Sequence, residues 1–170
     1  MNDYVRVYNS ESLSPENEIT IELWTKNVGA TWSDYYSLVT KRDAYWLLPI
    51  RGQKRIYFRV YNTDLSIRQI TFFIPQGIDL EDWHHYAFTY DGSTMKMYID
   101  GKEMQSNNFG STELINQSDY NLRIGRSTGN NYYEGKIDEV RIWHKALTAD
   151  QLDYIKNRTL NEELVNDMIG

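Results

Sequence analysis

The chain has 170 residues and no cysteine, a formal net charge of −6, and 14% aromatic residues, among them 14 Tyr and 5 Trp. This length suits one domain, and the lack of cysteine excludes disulfides and thiolate metal sites. The acidic charge argues against a nucleic-acid binder and against attraction to an anionic membrane, since both need a basic surface. No apolar run approaches transmembrane length, so we predict no membrane insertion.

Short runs of alternating apolar and polar residues recur along the chain and predict antiparallel strands. In chain order the predicted strands are Tyr4–Tyr8, Ile19–Lys26, Ser37–Lys41, Tyr45–Leu48, Arg55–Tyr61, Gln69–Ile74, His84–Tyr90, Met95–Asp100, Asn121–Gly125 and Lys136–His144. Asp100-Gly101 is a hairpin signal, because a type I′ turn needs positive φ at both central residues. Short strands in this number, with turns between them, predict a sandwich or a barrel.

The second predicted strand, Ile19–Lys26, has one apolar face and one face that contains a carboxylate. Ile21 and its apolar neighbours two positions away share one face, while Glu22 lies between Thr20 and Trp24 on the other. A carboxylate in that position predicts either a half-solvated outer face or a paired carboxylate.

Near the end of the chain the hydrophobic period changes from strand to helix. Thr148 is suited to N-cap a helix over Ala149–Asn157, with Asp150 in the favourable first turn. Leu152 and Ile155 would hold that helix against the sandwich. We therefore predict one domain over residues 1–157 and an acidic C-terminal segment, 158–170, that leads towards another domain.

Two motifs associated with catalysis lack the context that catalysis needs. Residues Gly125–Gly129 match the Gly-x-Ser-x-Gly elbow of serine hydrolases, which requires a helix after the serine. Here a polar loop and another predicted strand follow. His84 and His85 are consecutive on a strand, so their side chains leave on opposite faces and cannot share one metal ion. We predict that the chain is not an enzyme.

Calcium is the metal that best suits this composition, because it takes oxygen ligands that are often gathered from loops. We expect Asp138, Asn9 and Glu11 to supply such ligands if the first and last strands lie side by side. The alternative for Asp138 is that it accepts hydrogen bonds from neighbouring backbone amides and orders its loop.

Aromatic residues in polar surroundings are candidate ligand contacts, since ring faces suit the C–H groups of sugars and function favours loops. The candidates are Trp32, Tyr35, Tyr45, Trp46 and Tyr132, joined by Asn130 and Asn131, whose amides can hydrogen-bond sugar hydroxyls. Packing in the core is the alternative for each aromatic cluster.

Several of these segments together resemble one known group of domains. The chain is similar to the laminin-G-like, concanavalin A-like jelly-roll domains, and within them to the pentraxin-like bacterial modules. The segments that carry the resemblance follow the order of the family and are Ile19–Trp24, Trp83–Gly92, Met97–Lys102, Leu122–Arg126, Gly135–Trp143 and Ala146–Thr148.

The resemblance implies an all-β fold, a two-sheet antiparallel jelly-roll sandwich with a short C-terminal helix. Such modules mostly bind glycans or proteins outside the cell, rarely catalyse, and in many cases carry calcium; Asp138 matches the aspartate of the family's Ile-Asp-Glu-Val segment. The paired acids of the pentraxin double-calcium site have no clear counterpart here. We therefore expect a non-catalytic carbohydrate-binding module of a larger secreted or surface protein, or alternatively a protein-interaction or adhesion module.

Overall fold

Two antiparallel β-sheets pack face to face in the computed structural model, which describes residues 3–32, 37–127 and 131–161. The strands of these residues are β1 (Val5–Val7), β2 (Ile19–Asn27), β3 (Val39–Lys41), β4 (Tyr45–Pro49), β5 (Arg55–Tyr61), β6 (Ile67–Phe73), β7 (His84–Tyr90), β8 (Thr94–Ile99), β9 (Lys102–Asn108), β10 (Leu122–Ile124) and β11 (Gly135–Trp143). One short helix, α1 (Ala149–Ile155), follows the last strand. The predicted all-β jelly-roll sandwich with a C-terminal helix is confirmed.

The order of the strands places the two ends of the domain at one edge of the sandwich. The six-stranded sheet has the order β1-β10-β3-β4-β5-β6, and the five-stranded sheet has the order β11-β2-β7-β8-β9. The first strand β1 and the last strand β11 are therefore edge strands of different sheets. They do not pair, but Val5 and Ile137 line one cleft between the two edges.

The core lies between the sheets and follows the period-2 pattern of the strands. Ile19, Ile21 and Leu23 point inward from β2 and have no exposed surface. Phe88 from the five-stranded sheet meets Phe58 and Phe72 of the six-stranded sheet, with ring centroids 5.9 and 5.8 Å apart. Tilted rings at this spacing pack favourably, so the two sheets are joined by aromatic as well as aliphatic contacts.

The strand β9 (Lys102–Asn108) was not among the predicted strands. Its sequence, KEMQSNN, is polar and has no alternating apolar face. This agrees with its position as an edge strand whose residues are half-buried or exposed. The turn that leads into it was predicted and is confirmed, since Asp100 and Gly101 have φ of +53° and +83°.

The helix α1 begins with the predicted cap. The Thr148 side chain accepts a hydrogen bond from the Gln151 backbone N–H, and the Gln151 side chain accepts one from the Thr148 N–H, which completes a capping box. The helix ends at Ile155, two residues before the predicted end. Among the described residues, no helix combines the length and apolar character required to cross a membrane.

The outer face of the five-stranded sheet lies beneath α1, and we call it the covered face. An apolar cluster joins helix to sheet there, formed by Ala87, Tyr98, Trp143, Leu147, Leu152 and Ile155. Glu22, fully buried on this face, accepts hydrogen bonds from His85 Nε2 (2.8 Å), Trp143 Nε1 (2.9 Å) and Arg141 Nη1 (3.5 Å). Of the two expectations for Glu22, the paired carboxylate is the one observed.

The outer face of the six-stranded sheet has no such cover among the described elements, and we call it the open face. One row of cross-strand neighbours runs over all six strands. In order from β1 to β6 its members are Arg6, Arg123, Thr40, Trp46, Arg59 and Gln69.

Candidate functional site

Two of the predicted ligand contacts are core residues. Trp32 is 2% exposed and Tyr45 is fully buried. The Tyr45 hydroxyl donates to the Leu13 carbonyl at 2.9 Å, and burial raises the pKa of this phenol. The expectation that they contact a ligand is corrected, because a ring without exposed surface offers no face to a sugar; the alternative of packing applies to both.

Two further predicted contacts, Tyr35 and Asn130, lie outside the described residues. Trp46 is half-buried on the open face, where the Arg59 guanidinium lies 5.4 Å from its ring centroid. The remaining two, Asn131 and Tyr132, lie next to the edge where β1 and β11 approach each other.

That edge holds a cleft of about 540 Å³ between the two sheets, which we call the edge cleft. Its lining includes the side chains of Asp3, Tyr4, Trp83, Tyr133, Lys136 and Asp138. Tyr4 and Trp83 are large rings that remain 37% and 40% exposed. A concave site with aromatic walls and a few polar groups is the usual form of a ligand site.

A second ring extends the wall at Tyr4. Tyr132 meets Tyr4 edge to face, with ring centroids 6.1 Å apart. The Arg126 guanidinium lies 4.6 Å from the Tyr4 centroid and 5.1 Å from the Tyr132 centroid. A cation over two ring faces restrains both of them, so the rim of the cleft is preorganised.

The floor of the edge cleft is formed by Tyr133. Thr25 Oγ1 donates to the Lys136 carbonyl at 2.8 Å, and it accepts from the Tyr133 hydroxyl at 2.9 Å. Burial raises the pKa of Tyr133, so the phenol is neutral at ordinary pH. A Cβ at Gly135 would collide with the Lys26 carbonyl and the Tyr133 ring, so this position requires glycine.

Charged groups at the cleft give it hydrogen-bonding capacity. Asp3 and Asp138 supply carboxylates and Lys136 supplies an ammonium group. Asp138 Oδ1 also accepts a hydrogen bond from the Glu139 backbone N–H at 2.9 Å. This bond matches the alternative for Asp138, in which its carboxylate orders the local backbone.

The three predicted calcium ligands do not fit one ion in this arrangement. Asp138 shares the cleft with Asp3, which precedes β1, whereas Asn9 follows the other end of β1, about 20 Å further along an extended strand. Asn9 Oδ1 accepts from the Lys41 ammonium group at 2.6 Å, and Glu11 lies in a short 3₁₀ helix beyond it. Within the described residues, no three His, Cys, Asp or Glu side chains are grouped to hold a metal ion.

The Gly-x-Ser-x-Gly segment does not form a hydrolase elbow in its described part. Ser127 is only 8% exposed, and its N–H donates to the Asn131 carbonyl at 3.2 Å. Among the described residues, the next regular element is the strand β11 rather than a helix. Gly125, Arg126 and Ser127 therefore lie between the end of β10 and the rim of the edge cleft, where Arg126 contacts Tyr4.

Sequence reasoning missed Tyr4 and Trp83 as candidate contacts, because both belong to segments that carry fold signals. Trp83 directly precedes β7 and follows an acidic turn, Asp79 to Asp82. A tryptophan just outside a strand, where the alternation does not require it, is the signal that could have found it.

A family model described as "Concanavalin A-like lectin/glucanases superfamily", of the laminin G type, matches residues 1–153. The chain belongs to this superfamily. Mouse (Mus musculus) pappalysin-1 is 25% identical over 154 residues, which are 81% of this chain but 10% of that protein. The chain thus spans about a tenth of the length of the curated relatives it matches.

Solved structures share the fold of this chain at low identity. The binding domain of Paraclostridial Mosquitocidal Protein 1 is similar with a TM-score of 0.71 and 15% identity, over 91% of this chain and 40% of that one. The heptameric SAP-like pentraxin from Limulus polyphemus has a TM-score of 0.62 and 16% identity, over 88% of this chain and 73% of that one. At this level of identity the likeness concerns the fold.

Proposed function

We propose that this concanavalin A-like domain is a non-catalytic carbohydrate-binding module and that the edge cleft is its site. The observation that carries the proposal is the pair of half-exposed rings, Tyr4 and Trp83, on the walls of a cleft that also holds charged hydrogen-bonding groups. Sugar rings present C–H faces to aromatic rings and hydroxyls to polar groups. The cleft offers both kinds of partner.

The family and its similar structures support a binding role in a broader sense. The superfamily includes lectins, and one similar structure is the binding domain of Paraclostridial Mosquitocidal Protein 1. We infer that the chain is part of a larger secreted or surface protein, as its small share of the matched relatives suggests.

A glycan array followed by titration of the best neutral glycan tests the proposal. We expect Trp83→Ala and Tyr4→Ala each to weaken binding about three- to tenfold, since one aromatic contact contributes about 0.5–1.5 kcal/mol. Phe73→Ala is the matched control, because Phe73 is 50% exposed but lies on β6, at the far edge of the six-stranded sheet. A glycan that binds equally to Trp83→Ala, Tyr4→Ala and the unchanged chain would contradict the assignment of the site.

A protein-interaction or adhesion module is the second candidate, and exposed apolar side chains at β6 favour it. Leu65, Ile67 and Phe73 are 58%, 49% and 50% exposed, at and beside an edge strand that other chains can pair with. In this case Phe73→Ala, and not Trp83→Ala, would reduce capture of the partner protein.

A further inference from the structure

The open face carries a row of side chains that all offer hydrogen-bond donors. Arg6, Arg123 and Arg59 contribute guanidinium groups, and Thr40 and Trp46 lie between the last two. Within the described residues, none of these three arginines forms an ion pair with a carboxylate. In a chain with a net charge of −6, this is a local concentration of unneutralised positive charge.

Two of the arginines are direct cross-strand neighbours. Arg6 on β1 and Arg123 on β10 are Cα partners in the antiparallel ladder. Like charges in this position repel each other and destabilise the pair of strands. Arg6 donates to the Tyr8 hydroxyl at 3.2 Å and Arg123 to the Ser127 carbonyl at 3.3 Å; neither acceptor neutralises a charge. An anion bound at Arg123 would weaken this repulsion.

A small cavity lies beside Arg123. It measures about 120 Å³ and is lined by Thr40, Arg42, Tyr120, Asn121 and Arg123. Ligand pockets for whole small molecules begin at about 300 Å³, so this cavity suits one charged group rather than a sugar ring. The Arg42 guanidinium lies 4.7 Å from the Tyr120 ring centroid, and its Nε is 3.6 Å from Asp43 Oδ2, the one acidic contact at this cavity among the described residues.

A buried hydroxyl at the cavity has no partner. Thr40 is 2% exposed, and neither its Oγ1 nor the buried Nε1 of its neighbour Trp46 has a hydrogen-bond partner among the described residues. A buried polar group without a partner costs free energy. An oxoanion in the cavity would accept from the Thr40 hydroxyl and from the guanidinium groups of Arg42 and Arg123, each of which can donate two parallel hydrogen bonds to such a group.

From these observations we infer that the open face binds the sulfate or carboxylate groups of an anionic polysaccharide, with one oxoanion in the Thr40–Arg42–Arg123 cavity. Arg59 lies three strands from Arg123 in the row, about 14 Å away at the usual strand spacing. Trp46 lies between them and offers an aromatic surface for a neutral part of the chain. Charges separated by neutral rings match such a polysaccharide better than they match a nucleic acid.

This site lies on a different surface from the edge cleft. The inference rests on the proposed carbohydrate binding only for the sugar part of the ligand, since the oxoanion cavity follows from its own residues. The two proposals can therefore fail separately.

The test is a titration of four ligands of similar length at low and high salt: a sulfated oligosaccharide, an oligogalacturonate, a neutral oligosaccharide and single-stranded DNA of equal charge. We expect one or both acidic oligosaccharides to bind the open face, and the binding to weaken as salt rises. Arg123→Gln and Thr40→Val should each raise their Kd about tenfold or more, as expected for the loss of a hydrogen bond to a charged group. Arg123→Lys retains the charge and should fall between the unchanged chain and Arg123→Gln.

Arg158→Gln is the matched control, because Arg158 also lies over an aromatic ring, that of Tyr154 at 4.1 Å, but at the end of α1. Melting curves establish that each variant is folded. The inference is overturned if Arg123→Gln and Thr40→Val both bind the acidic oligosaccharides as tightly as the unchanged chain, if neither acidic oligosaccharide binds at low salt, or if DNA binds equally well. Loss of neutral-glycan binding in Trp83→Ala alone concerns the edge cleft and is read separately.

Discussion

The outer faces of the two sheets differ in how their charged side chains are paired. On the covered face, Glu22 is fully buried, and its carboxylate accepts hydrogen bonds from His85 at Oε2 and from Trp143 and Arg141 at Oε1. On the open face, Arg6, Arg59 and Arg123 have no carboxylate partner among the described residues. A buried carboxylate with donors on both of its oxygens holds structure together, whereas arginines without a carboxylate partner keep a charge that an anionic ligand can neutralise.

The covered face also explains how a helix of seven residues stays in place. Arg141 donates to the Ile155 carbonyl at 3.1 Å and Trp24 Nε1 to the Lys156 carbonyl at 2.9 Å. These donors satisfy carbonyls at the end of α1, which have no partners within the helix. The covered face therefore serves stability, whereas recognition is proposed for the open face and the edge cleft.

The largest effect on stability is expected from the removal of Glu22 on the covered face. In Glu22→Ala we expect the free energy of unfolding to fall by about 3–5 kcal/mol, because His85 and Arg141 lose a buried partner. Chemical denaturation measures the change. Arg59→Ala on the open face should cost less than about 1 kcal/mol by the same measurement; equal losses from the two faces would contradict the assignment of roles.

The stability of the domain at alkaline pH depends on tyrosine side chains that are buried inside the sandwich. Burial raises the pKa of Tyr45, Tyr86 and Tyr133. The folded chain therefore holds these protons more tightly than the unfolded chain. Stability is at its full value below the ordinary tyrosine pKa of about 10 and falls above it, by about 1.4 kcal/mol per pH unit for each such group.

Tyr45→Phe should make this alkaline decline less steep by about one such group, when denaturation is followed from pH 8 to pH 11. Tyr57→Phe, on the open face, is the control for removing a phenol outside the core. The account is contradicted if the slope is the same in Tyr45→Phe and in the unchanged chain.

A smaller effect is expected at the start of α1. Thr148→Ala removes the side-chain acceptor for the Gln151 N–H and should lower the free energy of unfolding by about 1 kcal/mol. Thr148→Ser retains the hydroxyl and should restore most of the loss, as judged by denaturation midpoints. Glycan binding should be unchanged in both variants if the covered face has no part in recognition, and a weakened Kd would count against that separation.

Calcium is expected to have the smallest effect, and calcium binding stays a prediction. We expect millimolar calcium to raise the melting temperature modestly through the Asp138 carboxylate, and Asp138→Asn to abolish the rise. Glu11→Gln is the control, because Glu11 lies beyond the other end of β1 and its substitution should leave the rise unchanged. A melting curve that millimolar calcium leaves unchanged would contradict the prediction of calcium binding.

Much of the fold could be predicted because local patterns and tertiary packing agree. Met95, Met97 and Ile99 alternate with polar residues and are all buried in β8. The Asp100-Gly101 turn and the Thr148 cap depend on backbone geometry that only a few residue types supply. The polar edge strand β9 lacked an apolar face and gave no such signal.

The candidate site could be predicted only in part, since it depends on which segments meet across the sandwich. Tyr132 and Asp138 were singled out, but their neighbours Tyr4 and Trp83 come from distant positions in the sequence. From the sequence, Trp32 and Tyr45 cannot be distinguished from aromatic residues on exposed loops. Only the packing shows that they are buried. Period and propensity describe one segment at a time and do not report such contacts.

The central claim is that recognition uses the edge cleft and the open face and leaves the covered face unchanged. The most direct test is the shift of backbone amide NMR signals on titration with the best glycan from the array. We predict shifts at residues 3–5, 83, 124–127 and 131–138, with further shifts at 40–42 and 123 for acidic glycans, and none in α1. Shifts that centre on α1 and β9, or no shifts with any glycan, would contradict the claim.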